Sequence, residues 1–215
     1  MKKILYIIAN SKNEELSSSR TVSRKLVNAI SEKVPDMQLE ELNLYEEHIP
    51  QVKGCYYESR NAIINTEARN KLSPEEQKEV TRIEQLCDQF IAADIYILAA
   101  PMWSLSFPAP VKEYLDCIIQ AEKTISFKNN KPYGLMDDKQ RIFIYVQSSG
   151  AKIPWILKPA LSKGLNYVHE IMKFIGIHTV DELLVDGTGT TEQERHDAIK
   201  TAADKIPQLI EKIIL

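Results

Sequence analysis

Residues 95–116 read IYILAAPMWSLSFPAPVKEYLD, and this stretch decides the fold class. The run from Ile95 to Ala100 has no polar interruption, which is typical of a strand buried on both faces. After a loop, Pro110 can open a helix with its apolar residues spaced three and four apart. The stretch therefore predicts a strand, a loop and a helix, the first part of a parallel βαβ unit.

The same order of segments recurs along the chain. Further apolar runs are Ile4 to Ile8, Ile142 to Val146 and Val180 to Val185, each separated from the next by a longer amphipathic segment. A weaker run, Met37 to Leu44, has Glu40 and Glu41 in its middle, which an edge strand tolerates and a doubly buried strand does not. These five strands, alternating with helices, predict an α/β fold: a three-layer, doubly wound parallel sheet.

Two helix starts are legible in the sequence. Ser73-Pro74-Glu75-Glu76 combines an N-cap serine, a first-turn proline and a capping-box glutamate. Thr191 and Glu194 repeat the capping box, and the apolar residues from Ile199 to Ile214 predict one long C-terminal helix that covers the sheet. The charged segment from Tyr45 to Leu72 is weakly periodic, and is either an excursion over the surface or part of an interface.

Composition excludes several classes of protein. The chain has 215 residues and a net charge of -3, with no basic patch for nucleic acid and no apolar stretch long enough to span a bilayer. We expect one domain, residues 1–215, without a nucleic-acid or membrane partner.

The three cysteines are far apart, which favours reduced thiols and a cytoplasmic protein, and Cys87 and Cys117 lie on apolar helix faces. Four scattered histidines have no zinc-ligand spacing, so no metal site is predicted.

In open parallel sheets, ligands bind beyond the carboxyl ends of the strands, so the loops there are where a site is expected. The loop after the first strand ends in Ser17-Ser18-Ser19 just before a helix, where free N–H groups and the positive helix end favour a phosphate. The alternative is an ordinary serine N-cap. Glu14 and Glu15 in the same loop oppose an anion unless they point away.

Two more loops reach the same edge. Pro101 to Pro108 places a thioether and an indole where a loop ordinarily meets water, which suggests a wall for a planar ring; the alternative is a loop buried by its neighbours or by a dimer partner. Gln147 to Ala151 offers small side chains and Gly150, which lets a ligand approach the backbone closely. Together the three loops predict one site with a phosphate end and a ring wall.

These residues resemble a known family. The Ser11 and Ser17-Ser18-Ser19 loop, the segment Ala99-Ala100-Pro101-Met102-Trp103 continuing to Lys112-Glu113-Tyr114-Leu115-Asp116, the Gly150 turn, and Phe174-Ile175-Gly176-Ile177 are together similar to the FMN-dependent NADH-azoreductase and quinone-reductase family. The likeness runs nearly end to end. It implies a flavodoxin-like fold with strand order 2-1-3-4-5 and a homodimer with one tightly bound FMN per subunit.

The resemblance also implies which residues bind the flavin. The cofactor-binding residues would be Ser11, Ser17, Ser18, Ser19, Met102, Trp103, Ser104, Leu105, Gln147, Ser148, Ser149 and Gly150. Two positions depart from the family pattern: Ser104 stands where asparagine is common, and Ser149-Gly150-Ala151 replaces a double glycine. Phe127 and Phe174 are candidates for substrate-stacking walls, the second from the partner subunit, although a place in the core explains each of them better.

The implied mechanism is ping-pong hydride transfer: NADH or NADPH reduces the flavin and leaves, and a quinone or aromatic azo compound then accepts two electrons. The flavin would supply the chemistry, so no catalytic acid, base or nucleophile is predicted. The GxGxxG fingerprint is absent, so the nicotinamide nucleotide would dock on the flavin itself. A single-electron flavodoxin-type carrier and a non-catalytic flavin-binding protein are the alternatives.

Overall fold

The computed structural model describes residues 2–154 and 156–214. Five parallel strands form the central sheet in the order β2-β1-β5-β8-β9, which is 2-1-3-4-5 when only the sheet strands are counted. Their bounds are β1 Lys3–Ile8, β2 Gln38–Asn43, β5 Ile95–Pro101, β8 Ile142–Ser149 and β9 Thr179–Asp186. The predicted fold class is confirmed, and β2, with its two glutamates, is an edge strand as expected.

Helices cover both faces of the sheet and complete the three layers. One face is packed by α1 (Ser18–Lys33), α7 (Glu192–Ala203) and α8 (Ile206–Ile214), and the other by α3 (Pro74–Ala92), α4 (Ala109–Ile118) and α6 (Lys163–Ile175). Because side chains alternate along a strand, β8 contributes Ile144 and Val146 to the first core and Phe143 and Tyr145 to the second. The two cores hold the loops at the sheet edge in fixed positions.

The C-terminal region differs from the sequence-based expectation. We expected one long helix after Thr191, but the chain has two, α7 and α8, interrupted at residues 204–205. Pro207 lies in the first turn of α8 and has no N–H group, so the hydrogen-bond ladder of α7 cannot continue through it. The capping boxes predicted at Ser73 and Thr191 are both present.

Short elements lie outside the sheet. The segment from Tyr45 to Leu72 contains a small hairpin, β3 (Tyr57–Ser59) and β4 (Ala62–Ile63), followed by the one-turn helix α2 (Thr66–Arg69), and Tyr56 beside it is buried in the core. A second hairpin, β6 (Ile125–Lys128) and β7 (Lys131–Gly134), packs on the end of α6, and the one-turn α5 (Lys158–Leu161) precedes α6. None of the described helices is both long enough and apolar enough to cross a bilayer.

Candidate functional site

A cavity of about 320 Å³ opens at the carboxyl edge of the sheet, where the loops after β1, β5, β8 and β9 meet. We call it the edge cavity. Its lining residues are Asn10, Lys12, Leu16, Ser17, Ser18, Pro101, Met102, Trp103, Ser148, Ser149, Gly150, Thr188, Gly189, Thr190, Thr191, Glu192 and Arg195. The three loops predicted to form one site are thus brought together.

The serine loop is fixed by hydrogen bonds within itself. Ser17 is the N-cap of α1: its Oγ accepts from the backbone N–H of Arg20 at 3.3 Å and from Asn10 Nδ2 at 2.7 Å. Asn10 Oδ1 in turn accepts from the backbone N–H of Lys12 at 2.9 Å. Ser17 is therefore the ordinary cap that the alternative interpretation described, and it also lines the cavity.

Neither acidic residue of this loop lines the cavity. Arg24 Nε lies 3.0 Å from Glu14 Oε2, while its two Nη atoms contact Glu41 at 2.5 and 2.8 Å. These contacts lower the pKa of Glu41, and Glu14 and Glu15 are both absent from the cavity wall. The charge objection to an anion at the serine loop is therefore removed.

The loop after β5 forms a tight two-residue turn. Trp103 and Ser106 exchange backbone hydrogen bonds at 2.9 and 2.8 Å, and the two residues between them, Ser104 and Leu105, both have positive φ, 51° and 62°. Met102 N–H donates to the Ser148 carbonyl at 2.7 Å, which ties this loop to the end of β8. Met102 and Trp103 line the cavity, and Trp103 remains 48% exposed.

The loop after β8 is tied to the loop after β9. Ser149 Oγ is 2.8 Å from Asp186 Oδ1, and the Gly189 N–H donates to the Gly150 carbonyl at 2.9 Å. A Cβ added at Gly150 would meet no atom within 4 Å, so no protein group crowds this glycine. The free space beside Gly150 is where a ligand can approach the backbone.

The residues at the start of α7 were missed by the sequence analysis. Thr191 was noted only as a helix cap, yet Thr188 to Glu192 and Arg195 line the edge cavity. The predicted site included only the loops after the first, third and fourth strands of the sheet. The rule that ligands bind at the carboxyl ends also applies to β9, whose loop has glycines at 187 and 189, and that signal was available.

Seven of the twelve predicted flavin-binding residues line the edge cavity: Ser17, Ser18, Met102, Trp103, Ser148, Ser149 and Gly150. The other five are not part of its wall: Ser11, Ser104 and Leu105 are in the loops, Ser19 is in the first turn of α1, and Gln147 is in β8. Gln147 is buried, and neither of its amide atoms has a hydrogen-bond partner in the described part of the chain.

The two predicted substrate walls lie outside the edge cavity. Phe127 is on β6 with the Arg60 guanidinium 5.2 Å from its ring centre, and Phe174 is exposed on α6. Within one chain the structure does not bring either ring to the site. A role for Phe174 therefore requires a second subunit.

A larger cavity, about 860 Å³, lies on the other side of Gly150 and Gly189, between β9 and α7. Its wall includes Lys152, Asp186 and Asp197 and no aromatic side chain. Since a planar ring needs an apolar surface, the smaller edge cavity with Trp103 is the better candidate.

Two cysteines are placed for packing rather than chemistry. Cys87 and Cys117 are buried, and their thiols donate to the carbonyls of Ile118 and Pro50 at 3.5 and 3.4 Å. Burial raises the pKa of both thiols to about 12. Cys55 is exposed. Over the described residues, no group of three or more His, Cys, Asp or Glu side chains is arranged to hold a metal ion.

Known proteins similar to this chain agree with the geometry. A family model described as "Flavodoxin-like fold" matches residues 2–210. A relative in Ruminiclostridium cellulolyticum, an FMN-dependent NADH:quinone oxidoreductase, is 66% identical over 213 residues, 99% of this chain and 100% of the relative. A relative of the same description in Clostridium botulinum is 53% identical over 214 residues, again 99% and 100%.

Two solved structures share the fold. An azoreductase from Bacillus anthracis has a TM-score of 0.81 and 23% identity, covering 99% of this chain and 100% of the other. An FMN-dependent NADH-azoreductase from the same organism, solved in complex with FMN, has a TM-score of 0.81 and 22% identity, covering 98% and 100%. At these identities the two structures establish only the fold, while the relatives establish the family. The chain belongs to the FMN-dependent NADH:quinone oxidoreductase family, with a flavodoxin-like fold.

Proposed function

We propose that this chain is an FMN-dependent NADH:quinone oxidoreductase and that the edge cavity holds the flavin. The observation that carries the proposal is the composition of the cavity wall: Ser17, Ser18 and the start of α1 stand in one part, and Met102 and Trp103 in another. A helix N-terminus with free N–H groups favours a phosphate, and an indole beside a thioether favours a flat ring. FMN carries both groups, and the relatives in two clostridial species are described with this activity.

The residues present fit FMN in three respects. The hydroxyls of Ser17 and Ser18 and the backbone N–H of Ser18 are available for a phosphate, whereas the Ser17 N–H donates to the Glu14 carbonyl at 3.3 Å. No acid of the serine loop lines the cavity. The space beside Gly150 is open to a ring edge. Ser148 and Ser149 would complete the ring site, while Ser11, Ser19, Ser104, Leu105 and Gln147 stay predictions.

Bound FMN would supply the hydride chemistry, which no side chain supplies. The chain's own residues bind the phosphate, orient the ring between the β5 and β8 loops and exclude water from one of its faces. In the described wall the ionisable side chains are Lys12, Glu192 and Arg195, none of which is placed as a general base beside a nucleophile. We therefore assign no catalytic acid, base or nucleophile.

We further propose a ping-pong order in which NADH or NADPH and the acceptor occupy the same face in turn. Quinones and aromatic azo compounds are the expected acceptors, because a slot bounded by Trp103 favours flat electron-poor rings. Initial rates at several fixed quinone concentrations should give parallel double-reciprocal lines. Intersecting lines would mean that both substrates are bound at once, against a shared face.

The test of the function itself is NADH oxidation by the full chain with a quinone, with and without added FMN. We expect steady turnover that requires FMN, whereas a flavodoxin-type carrier or a non-catalytic flavin-binding protein gives none. Trp103→Ala should raise the KM for the quinone several-fold, because the ring contact is lost. Tyr45→Ala removes an exposed aromatic ring outside the cavity and should leave this KM unchanged.

We also propose a homodimer, in which residues 1–215 of each subunit act as one FMN-binding domain. Exposed apolar residues support it: Trp103, Leu105, Tyr133, Tyr167 and Phe174 are all substantially exposed, and Tyr167 lies 5.9 Å from the Phe107 ring beside the β5 loop. Exposed apolar side chains are a feature of protein–protein interaction surfaces. In a dimer of this kind Phe174 would reach the partner's site. The cytoplasmic location stays a prediction from the sequence.

A further inference from the structure

Arg195 connects the start of α7 to the serine loop across 180 residues of sequence. Its Nη2 donates to the carbonyl of Glu15 at 2.7 Å, and its side chain, 24% exposed, forms part of the edge-cavity wall. Glu15 belongs to the 3-10 turn that precedes Ser17. The guanidinium is thereby held next to the loop that is proposed to bind the phosphate.

The α7 N-terminus has few donors of its own to offer. Glu194 Oε2 accepts from the backbone N–H groups of Thr190 and Thr191, each at 3.0 Å, and from Thr191 Oγ1 at 2.8 Å. This capping box occupies the backbone N–H groups of Thr190 and Thr191. The positively charged side chain that α7 contributes to the cavity wall is that of Arg195.

The guanidinium is only partly neutralised. Its Nε lies 3.2 Å from Glu192, a surface pair in which the carboxylate is largely exposed, and its Nη1 is buried without a hydrogen-bond partner among the described residues. Lys12 is the other cation of the wall and Glu192 its one acid, so the described wall carries a net positive charge in a chain of net charge -3. A positive wall of this kind complements a phosphate dianion.

We propose that Arg195 favours binding of a phosphate monoester in the edge cavity. It does so in two ways: it fixes the serine loop through the Glu15 carbonyl, and its positive charge offsets the negative charge of the phosphate. The inference rests on the proposed function. FMN and the ribose of NADPH each carry a phosphate monoester, and FMN is the one assigned, because Arg195 is bonded to the loop that leads into Ser17 and α1. Arg195 acts here as a positioning residue.

The experiment compares FMN with riboflavin, which has the same ring and lacks the phosphate. Flavin-free full chain is titrated with each by flavin fluorescence. Arg195→Gln should weaken FMN binding about tenfold, as expected for one charge-assisted hydrogen bond, and leave riboflavin binding unchanged. Glu192→Gln should tighten FMN binding alone. The salt dependence of the FMN Kd should be shallower in Arg195→Gln.

The matched control is Lys200→Gln, which removes the same charge from an exposed position of α7 without a contact to the cavity. It should change neither flavin's Kd. Equal weakening of FMN and riboflavin by Arg195→Gln would show a purely structural role and overturn the inference, as would a raised KM for NADPH with an unchanged FMN Kd. If the unsubstituted chain binds neither flavin, the proposed function falls, and the inference falls with it; if it binds both, the comparison tests Arg195 alone.

Discussion

Leu105 has a backbone conformation that a β-turn ordinarily gives to glycine. With φ of 62°, it follows Ser104, with φ of 51°, in a turn whose twist matches the type that favours Asn-Gly. An L-residue held there costs about 1–2 kcal/mol. The turn is anchored from outside, because the Gly164 N–H donates to the Leu105 carbonyl at 3.2 Å and a Cβ at Gly164 would meet Ser106 Cα at 2.8 Å. The strain is therefore located beside the proposed ring wall.

Replacing Leu105 by glycine should consequently leave the free energy of unfolding unchanged or raise it by up to about 1 kcal/mol. The reason is that the relieved backbone strain equals or exceeds the entropy cost of glycine. The matched control is Leu157, which is 47% exposed against 45% for Leu105 and has no positive φ. Its replacement by glycine should lower the free energy of unfolding by about 0.5–1 kcal/mol. Urea unfolding of the two variants measures the difference. Equal losses would mean that the Leu105 backbone is not strained.

The burial of two cysteines predicts how the chain reacts with thiol reagents. With a pKa of about 12, Cys87 and Cys117 are thiolates in only about one molecule in ten thousand at pH 8, and thiolate is the reactive form. A thiol reagent should therefore label one cysteine of the native chain, Cys55, and none in Cys55→Ser. Labelling of two or three cysteines before unfolding would contradict the packing described for α3 and α4.

At the scale of elements, the hairpin β6–β7 is packed so closely on α6 that glycine is required. A Cβ at Gly134 would stand 2.1 Å from the carbonyl carbon of Ile175, a backbone atom that cannot move alone. Gly134→Ala should therefore lower the free energy of unfolding by about 1–3 kcal/mol. Gly54→Ala, with no atom within 4 Å of the added Cβ, should be neutral or slightly stabilising. Chemical denaturation tests both, and similar values would refute the close contact.

The elements also show which parts of the fold sequence patterns could predict. The central strands of the sheet were recognised because a short, uninterrupted apolar run such as Ile95 to Ala100 is typical of a buried strand. Helix α3 was recognised because its capping box lies within four consecutive residues of the sequence. The strands of the hairpins β3–β4 and β6–β7 have only two to four residues each, which is too short for a periodicity that would distinguish them from loops. The break between α7 and α8 could have been predicted from Pro207.

Some residues of the candidate site could likewise be predicted from the sequence, and others could not. Met102 and Trp103 were found because they follow β5 and are unusual in a loop, and Ser17 because it stands directly before a helix. Arg195 was not, since its contact with Glu15 joins residues 180 positions apart and nothing in the local sequence indicates it. The position of the Gln147 side chain, buried in the sheet rather than at the cavity, follows from strand alternation, which the loop interpretation did not apply.

At the scale of the whole molecule, the exposed apolar residues of α6 and of the loop after β5 predict the oligomeric state. Phe174 is 41% exposed on α6, and Phe174→Glu should place a charge in the proposed interface and convert a dimer to monomers in sedimentation velocity. Leu39→Glu, at an exposed apolar position of the edge strand β2, should remain dimeric. A monomeric unsubstituted chain would contradict the homodimer and with it the contribution of Phe174 to a partner's site.

The whole fold serves to bring four loops to one edge of the sheet, and the central claim is that this edge holds a flavin that NADH reduces. The direct measurement is an absorbance spectrum of the FMN-loaded chain, repeated anaerobically after NADH and again after a quinone. The account predicts flavin bands that bleach with NADH and return in full with the quinone. A chain that binds no FMN, or whose flavin bands are unchanged by NADH, would contradict it.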